Sequence, residues 1–206
     1  MMRKRHFAIT LIATILAFAA CRGQETYQAE AERLATLLKW QPGSVVADVG
    51  AGDGEMTLAA AGRVGPTGRV FSTEIDDQKL ARLEETAAEH QNIIAVKATA
   101  NATNLPPACC DSIVMRRVYH HVTEPAEFDA SLLESLKPGG LLAVIDFAPR
   151  HGLPDVKEHV PQNRGGHGVA KQLVIDELTD AGFEMLSAPD DWPNDDFCVI
   201  FRKPAD

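Results

Sequence analysis

Short, almost continuous apolar runs alternate along the chain with longer segments whose apolar residues recur every third or fourth position. Val45-Val46-Ala47-Asp48-Val49 is the clearest run, the mark of a strand covered on both faces. Arg69 to Thr73, ending at Glu74, then Asn92 to Val96, Asp111 to Met115 and Leu141 to Asp146 repeat it. Between them lie predicted helices. Ala29 to Trp40 carries Ala31, Leu34, Leu37 and Leu38 on one side, and Glu55 to Val64 is alanine-rich. Gln78 to His90 follows a good N-cap at Asp76, Pro125 to Leu136 carries Phe128, Leu132, Leu133 and Leu136, and His167 to Ala181 is closed by Gly182. Pro and Gly punctuate the joints at Gln41-Pro42-Gly43, Gly65-Pro66-Thr67-Gly68 and Lys137-Pro138-Gly139-Gly140. Strands alternating with helices predict an α/β fold on a parallel sheet. Phe183 to Ala188 and Phe197 to Arg202 flank one turn, so they form a hairpin and one of them runs against that sheet.

The first run breaks into Gly50-Ala51-Gly52-Asp53-Gly54 and then enters a helix. Glycines there let a backbone approach a ligand where a Cβ would collide, and they permit positive φ in the turn. The helix start adds free N–H groups. The dinucleotide fingerprint is G-x-G-x-x-G, whereas this spacing is G-x-G-x-G, with Asp48 two residues before the first glycine. A carboxylate there opposes a pyrophosphate and suits a ligand bearing an ammonium and a sulfonium. Glu74 lies 24 residues after Gly50, the distance at which a neighbouring parallel strand delivers an acid to a ribose.

These residues resemble motif I of the class I S-adenosylmethionine (SAM) dependent methyltransferases, and the Leu-Lys-Pro-Gly-Gly turn at 136–140 resembles their small-molecule branch. The resemblance covers Glu30 to Lys203. It implies a three-layer, Rossmann-like, seven-stranded, mostly parallel sheet with a C-terminal antiparallel hairpin, SAM as cofactor and a small-molecule acceptor. It assigns Asp48, Gly50, Ala51, Gly52, Gly54, Glu74, Ile75, Asn101, Ala102 and Arg116 to the cofactor. Asn101 stands where Asp is common in the family, so its contact to adenine would be uncharged. Tyr119, His120 and His121, after the fourth strand, are the implied substrate-side and catalytic candidates. The Asn/Asp-Pro-Pro-Tyr segment of amino methylation on bases and glutamine is absent. An alternative on the same fold is a non-catalytic SAM- or nucleoside-binding module.

Charge and the N-terminus complete the picture. The formal charge is −9, and a chain starting at Cys21 would carry −12, which argues against nucleic acid as a partner. Residues 1–20 read as a signal peptide, with Arg3-Lys4-Arg5 ahead of an apolar run of 14 residues from Phe7 to Ala20. Phe18-Ala19-Ala20-Cys21 resembles a bacterial lipobox, which implies lipidation of Cys21 and membrane attachment. Residues 21–28 read as a tether and 29–206 as the methyltransferase domain. The expected location is exported, periplasmic or membrane-anchored, with the cytoplasm as the alternative. Cys109, Cys110 and Cys198 read as reduced thiols, and no metal-ligand spacing appears. A polar stretch from Phe147 to Gly166, beyond the fifth strand, is expected to shape substrate choice.

Overall fold

A computed structural model describes residues 27–149 and 167–205. The expected signal segment, Cys21 and most of the stretch after Phe147 lie outside them. The helix 27–37 (α1) opens the described chain. Then follow β1 (Val45–Val49), α2 (Glu55–Val64), β2 (Arg69–Glu74), α3 (Asp77–Glu89), β3 (Ile93–Lys97) and β4 (Cys110–Arg116). A short 3-10 turn at Tyr119–His121 leads to α4 (Pro125–Ser135), β5 (Leu136–Phe147), α5 (Lys171–Asp180), β6 (Glu184–Ser187) and β7 (Asp196–Arg202).

The seven strands form one sheet in the order β3-β2-β1-β4-β5-β7-β6. The first five run parallel, and β7 is antiparallel to both β5 and β6. The expected α/β architecture with its terminal hairpin is therefore present, with β7 set between β5 and β6. Strand alternation feeds two separate cores. Val46, Val70, Val114 and Ile145 face α1 and α2. Ala47, Phe71, Met115 and Val144 face α4 and α5.

Three boundaries differ from the sequence reading. The first helix starts at 27 instead of Ala29, because Tyr27 is held over the sheet by Arg116, whose guanidinium sits 4.6 Å from the tyrosine ring centroid. Strand β5 starts at Leu136 instead of Leu141, since Leu136 pairs with Cys110 and Leu141 with Ser112, leaving the Pro-Gly-Gly turn as an irregularity within the strand. Helix α5 starts at Lys171 instead of His167. Val169 N–H donates to the Phe147 carbonyl, and Gly168 has a φ of +108°, so 167–170 runs along the end of β5. Asp76 does cap α3, its side chain accepting from Gln78 and Lys79 N–H at 2.9 Å each.

Candidate functional site

The cleft opens at the carboxyl ends of β1, β2 and β4, where the strand order reverses, β2 lying on one side of β1 and β4 on the other. Open α/β sheets bind ligands at that switch point. Its volume is about 840 Å³. Val49 hands over to Gly50, whose N–H donates to the Thr73 carbonyl at 3.0 Å, as does that of Ala51 at 2.9 Å. These bonds tie the glycine turn to β2. Gly50 has a φ of +72°, and a Cβ there would lie 2.5 Å from Val118. Gly52 has a φ of +60° and nothing within 4 Å of a Cβ position, so its backbone is open to the cleft.

Asp48 forms the acidic floor. It is 2% exposed, and its carboxylate accepts from the Thr57 hydroxyl at 2.7 Å. Burial pushes its pKa up to about 6, against the lowering by Thr57 and Arg116. Glu74, at the end of β2, is 5% exposed and also lines the cleft. Its carboxylate accepts three backbone N–H bonds, from Gly52 at 2.9 Å, Ile75 at 2.8 Å and Asp76 at 3.0 Å. Glu74 thus shapes the glycine turn as well as presenting an acid. Ile75, at the cleft wall, is 54% exposed and turns an apolar side chain to the cleft.

Arg116 links three elements. Its Nε donates to Glu30 of α1 at 2.5 Å, and Glu30 accepts from Trp192 Nε1 at 3.0 Å. Tyr27 and Arg116 both line the cleft, so this network holds α1 across it. Arg117 has a φ of +54° and a paired grip on Asp196 of β7 at 2.8 and 3.0 Å.

Asp48, Gly50, Ala51, Gly52, Glu74, Ile75 and Arg116 thus share one cleft. Gly54 caps α2 from just behind it, packed near Leu83. Asn101 and Ala102 do not line the cleft. Asn101 Oδ1 accepts from the Thr99 hydroxyl at 3.0 Å, and Ala102 pairs back to Thr99, closing a turn that presents Ala98, Thr99 and Ala100 to the cleft instead. Tyr119 also lies away from it, wholly buried, with its hydroxyl donating to Asp129 at 2.7 Å and lying 3.0 Å from Glu177. Burial and those two carboxylates raise its pKa far above the ordinary phenol value. His120 is buried behind the cleft, and His121 is exposed and lines it. Partial burial, with His120 beside it, pushes His121 down to about 4, so the ring is neutral near pH 7. Sequence reasoning missed Tyr27, Lys79, Thr99 and Phe128 as cleft residues. For Tyr27 the signal was there, an aromatic one turn before the apolar face of α1.

The residues present fit a cofactor with a positive end. An ionisable carboxyl buried at Asp48, a glycine backbone open at Gly52 and an exposed apolar wall at Ile75 are the parts such a ligand needs. Among the described residues no group of three or more His, Cys, Asp or Glu is placed to hold a metal ion.

Residues 47–144 match the family model described as methyltransferase domain. The ubiquinone/menaquinone biosynthesis C-methyltransferase UbiE of Shewanella halifaxensis is 32% identical over 117 residues, 55% of this chain and 47% of that protein. The chain thus spans about half the length of the curated relatives it matches. A SAM-dependent methyltransferase of Aquifex aeolicus shares the fold with a TM-score of 0.70 at 23% identity, over 84% of this chain and 89% of that one. A geranyl diphosphate methyltransferase in complex with SAM does so with a TM-score of 0.66 at 13% identity, over 85% of each chain. The chain thus folds as the seven-stranded Rossmann-like sheet of these solved structures, and its residues 47–144 are similar to a methyltransferase domain.

Proposed function

We propose that the protein is an enzyme transferring a methyl group from SAM to a small-molecule acceptor. The observation that carries this is Asp48, an acid buried at the floor of a cleft whose glycine turn and Glu74 stand on either side. The likeness to a quinone-pathway C-methyltransferase supports a small acceptor. When bound, SAM supplies an electrophilic methyl on a sulfonium.

The chain's own residues bind, orient and exclude water. Asp48 offers a carboxylate to the positive end of the cofactor. Glu74 offers the oxygen capacity left beyond its backbone bonds to ribose hydroxyls. Gly52 permits close backbone approach, and Ile75 covers an apolar face. Tyr27 and α1, held by Arg116, restrict access of water from above, which favours alignment of nucleophile and methyl. We further propose that the chain is exported and attached to a membrane through lipidated Cys21.

Calorimetric titration with SAM, followed by transfer of labelled methyl from SAM into the small-molecule fraction of a cell extract, tests the reading. Binding and transfer are expected. Binding without transfer in any extract would leave a binding module, and absence of SAM binding would overturn the cofactor itself.

A further inference from the structure

We propose that Cys109 and Cys110 form a redox-sensitive modification site, which small-molecule disulfides convert to a disulfide ring between the two neighbours. The site is independent of the methyltransfer reading. Successive side chains of a strand point to opposite faces, which would separate two adjacent thiols. Here β4 begins at Cys110, and Cys109 stands just ahead of it. Ala108 has a φ of +46°, a region few non-glycine residues adopt, and its N–H donates to the Glu134 carbonyl at 2.9 Å. That turn brings both thiols to one side of the chain. Their sulfurs lie 2.6 Å apart, and both cysteines are free.

The two thiols are unequal. Cys109 is partly exposed, whereas Cys110 is wholly buried. The hydrogen bond between the sulfurs holds the Cys109 thiol below its ordinary pKa, aided by the Lys137 ammonium, while that bond and burial push Cys110 up. Cys109 is thus the thiol that ionises and meets reagents, and the thiolate is the attacking form. Its sulfur attacks one sulfur of a disulfide RSSR, forming a mixed disulfide and releasing RS⁻, which takes up the proton that Cys109 lost. The Cys110 sulfur then attacks Cys109 Sγ, gives up its own proton and expels the second half as RSH. The pair loses two electrons and two protons, and RSSR gains them as two RSH. Neighbouring residues hold their Cα atoms closer than ordinary disulfides do, so the ring is strained and readily reduced by thiols. Strain of that kind suits a reversible mark and not a structural bridge. Cys110 pairs with Leu136 where β5 begins, and the register shifts between Cys110 and Ser112. The ring therefore sits on an irregular seam between β4 and β5, at the end of β4 away from the cleft that Arg116 lines.

The test incubates the reduced, purified full chain with 2-hydroxyethyl disulfide, then alkylates the remaining thiols in denaturant and maps the peptides. The tryptic peptide 98–116 holds Cys109 and Cys110 and neither Cys21 nor Cys198. It should come out lighter than the reduced peptide by two hydrogens, with both thiols lost to alkylation, and dithiothreitol should restore them. Cys198→Ser should behave as the wild type. Cys110→Ser removes the thiol that closes the ring, so the 2-hydroxyethylthio adduct should accumulate on Cys109. Cys109→Ser should leave the buried Cys110 unreacted. The wild-type peptide decides the matter by itself should a variant fail to fold. Both thiols still alkylating after treatment, a lasting adduct on wild-type Cys109, or a bridge mapped to Cys198 or to a second chain would each overturn the proposal. An adduct on Cys110 in Cys109→Ser as fast as that on Cys109 in Cys110→Ser would overturn the assigned order of attack.

Discussion

Asp48 places ligand chemistry and folding in opposition, and Asp48→Asn separates them. Moving a carboxyl from its ordinary 3.8 up to about 6 corresponds to roughly 3 kcal/mol, at about 1.4 kcal/mol per pH unit. The folded state favours the protonated form. Below pH 4 both folded and unfolded chains are protonated and Asp48 costs nothing. Between pH 4 and 6 the unfolded chain releases its proton while the folded one keeps it, so stability falls as pH rises; above 6 the cost is constant. Asn keeps an oxygen for the Thr57 hydroxyl but adds an amide that needs partners, which offsets part of the gain. Without ligand, Asp48→Asn should therefore stabilise the protein by about 1–2 kcal/mol at pH 8 and destabilise it by about 1–2 kcal/mol at pH 4, where only the cost of the amide remains, read from urea unfolding. Its SAM affinity should fall about 10- to 150-fold, and wild-type affinity should rise from pH 5 to 7 as Asp48 ionises. If Asp48→Asn were destabilised at pH 8 and bound SAM normally, Asp48 would be a structural partner of Thr57 and nothing more.

Glu74→Gln should lower SAM affinity about 10- to 150-fold and also lower the melting temperature, because its new amide faces the N–H groups of Gly52, Ile75 and Asp76. Asp76→Ala should lower the melting temperature through the loss of its cap and leave SAM affinity near wild type, and the opposite pattern in calorimetry would make Asp76 the ribose acid. Expressed in a bacterium, the chain should be shortened and should label with palmitate at Cys21. Full-length soluble protein in the cytosol would refute export, and labelling that survives Cys21→Ala would refute the lipid alone.

Local chemistry made much of this site legible. The strand–glycine–helix passage at 45–64 and the cap at Asp76 depend on neighbours within a few residues, and the sequence spells them out. What escaped depends on distant partners. Tyr119, His120 and His121 are adjacent in sequence, yet one points into the α4–α5 core, one toward Asp146 and one into the cleft. A three-residue turn sends successive side chains in different directions, and only the packing around it decides which. Asn101 matched a family position, but the turn closed by Thr99 carries it off the cleft. Strand β5 begins early because Leu136 finds Cys110 across the sheet, a pairing no local pattern announces.

The placing of β7 has a consequence for how this chain is made. Residues Leu142 to Ile145 of β5 are wholly buried, and β7 covers their outer edge while also carrying β6. During synthesis β6 emerges before β7 and has no strand to join. Until Asp196–Arg202 leaves the ribosome, β5 presents an uncovered apolar edge, the kind that recruits other chains into aggregates. Cooperative closure of the sheet thus waits for a late segment, and the nascent chain remains available to chaperones for most of its synthesis. Any truncation that removes Asp196–Arg202 should then yield an aggregating product instead of a smaller folded one.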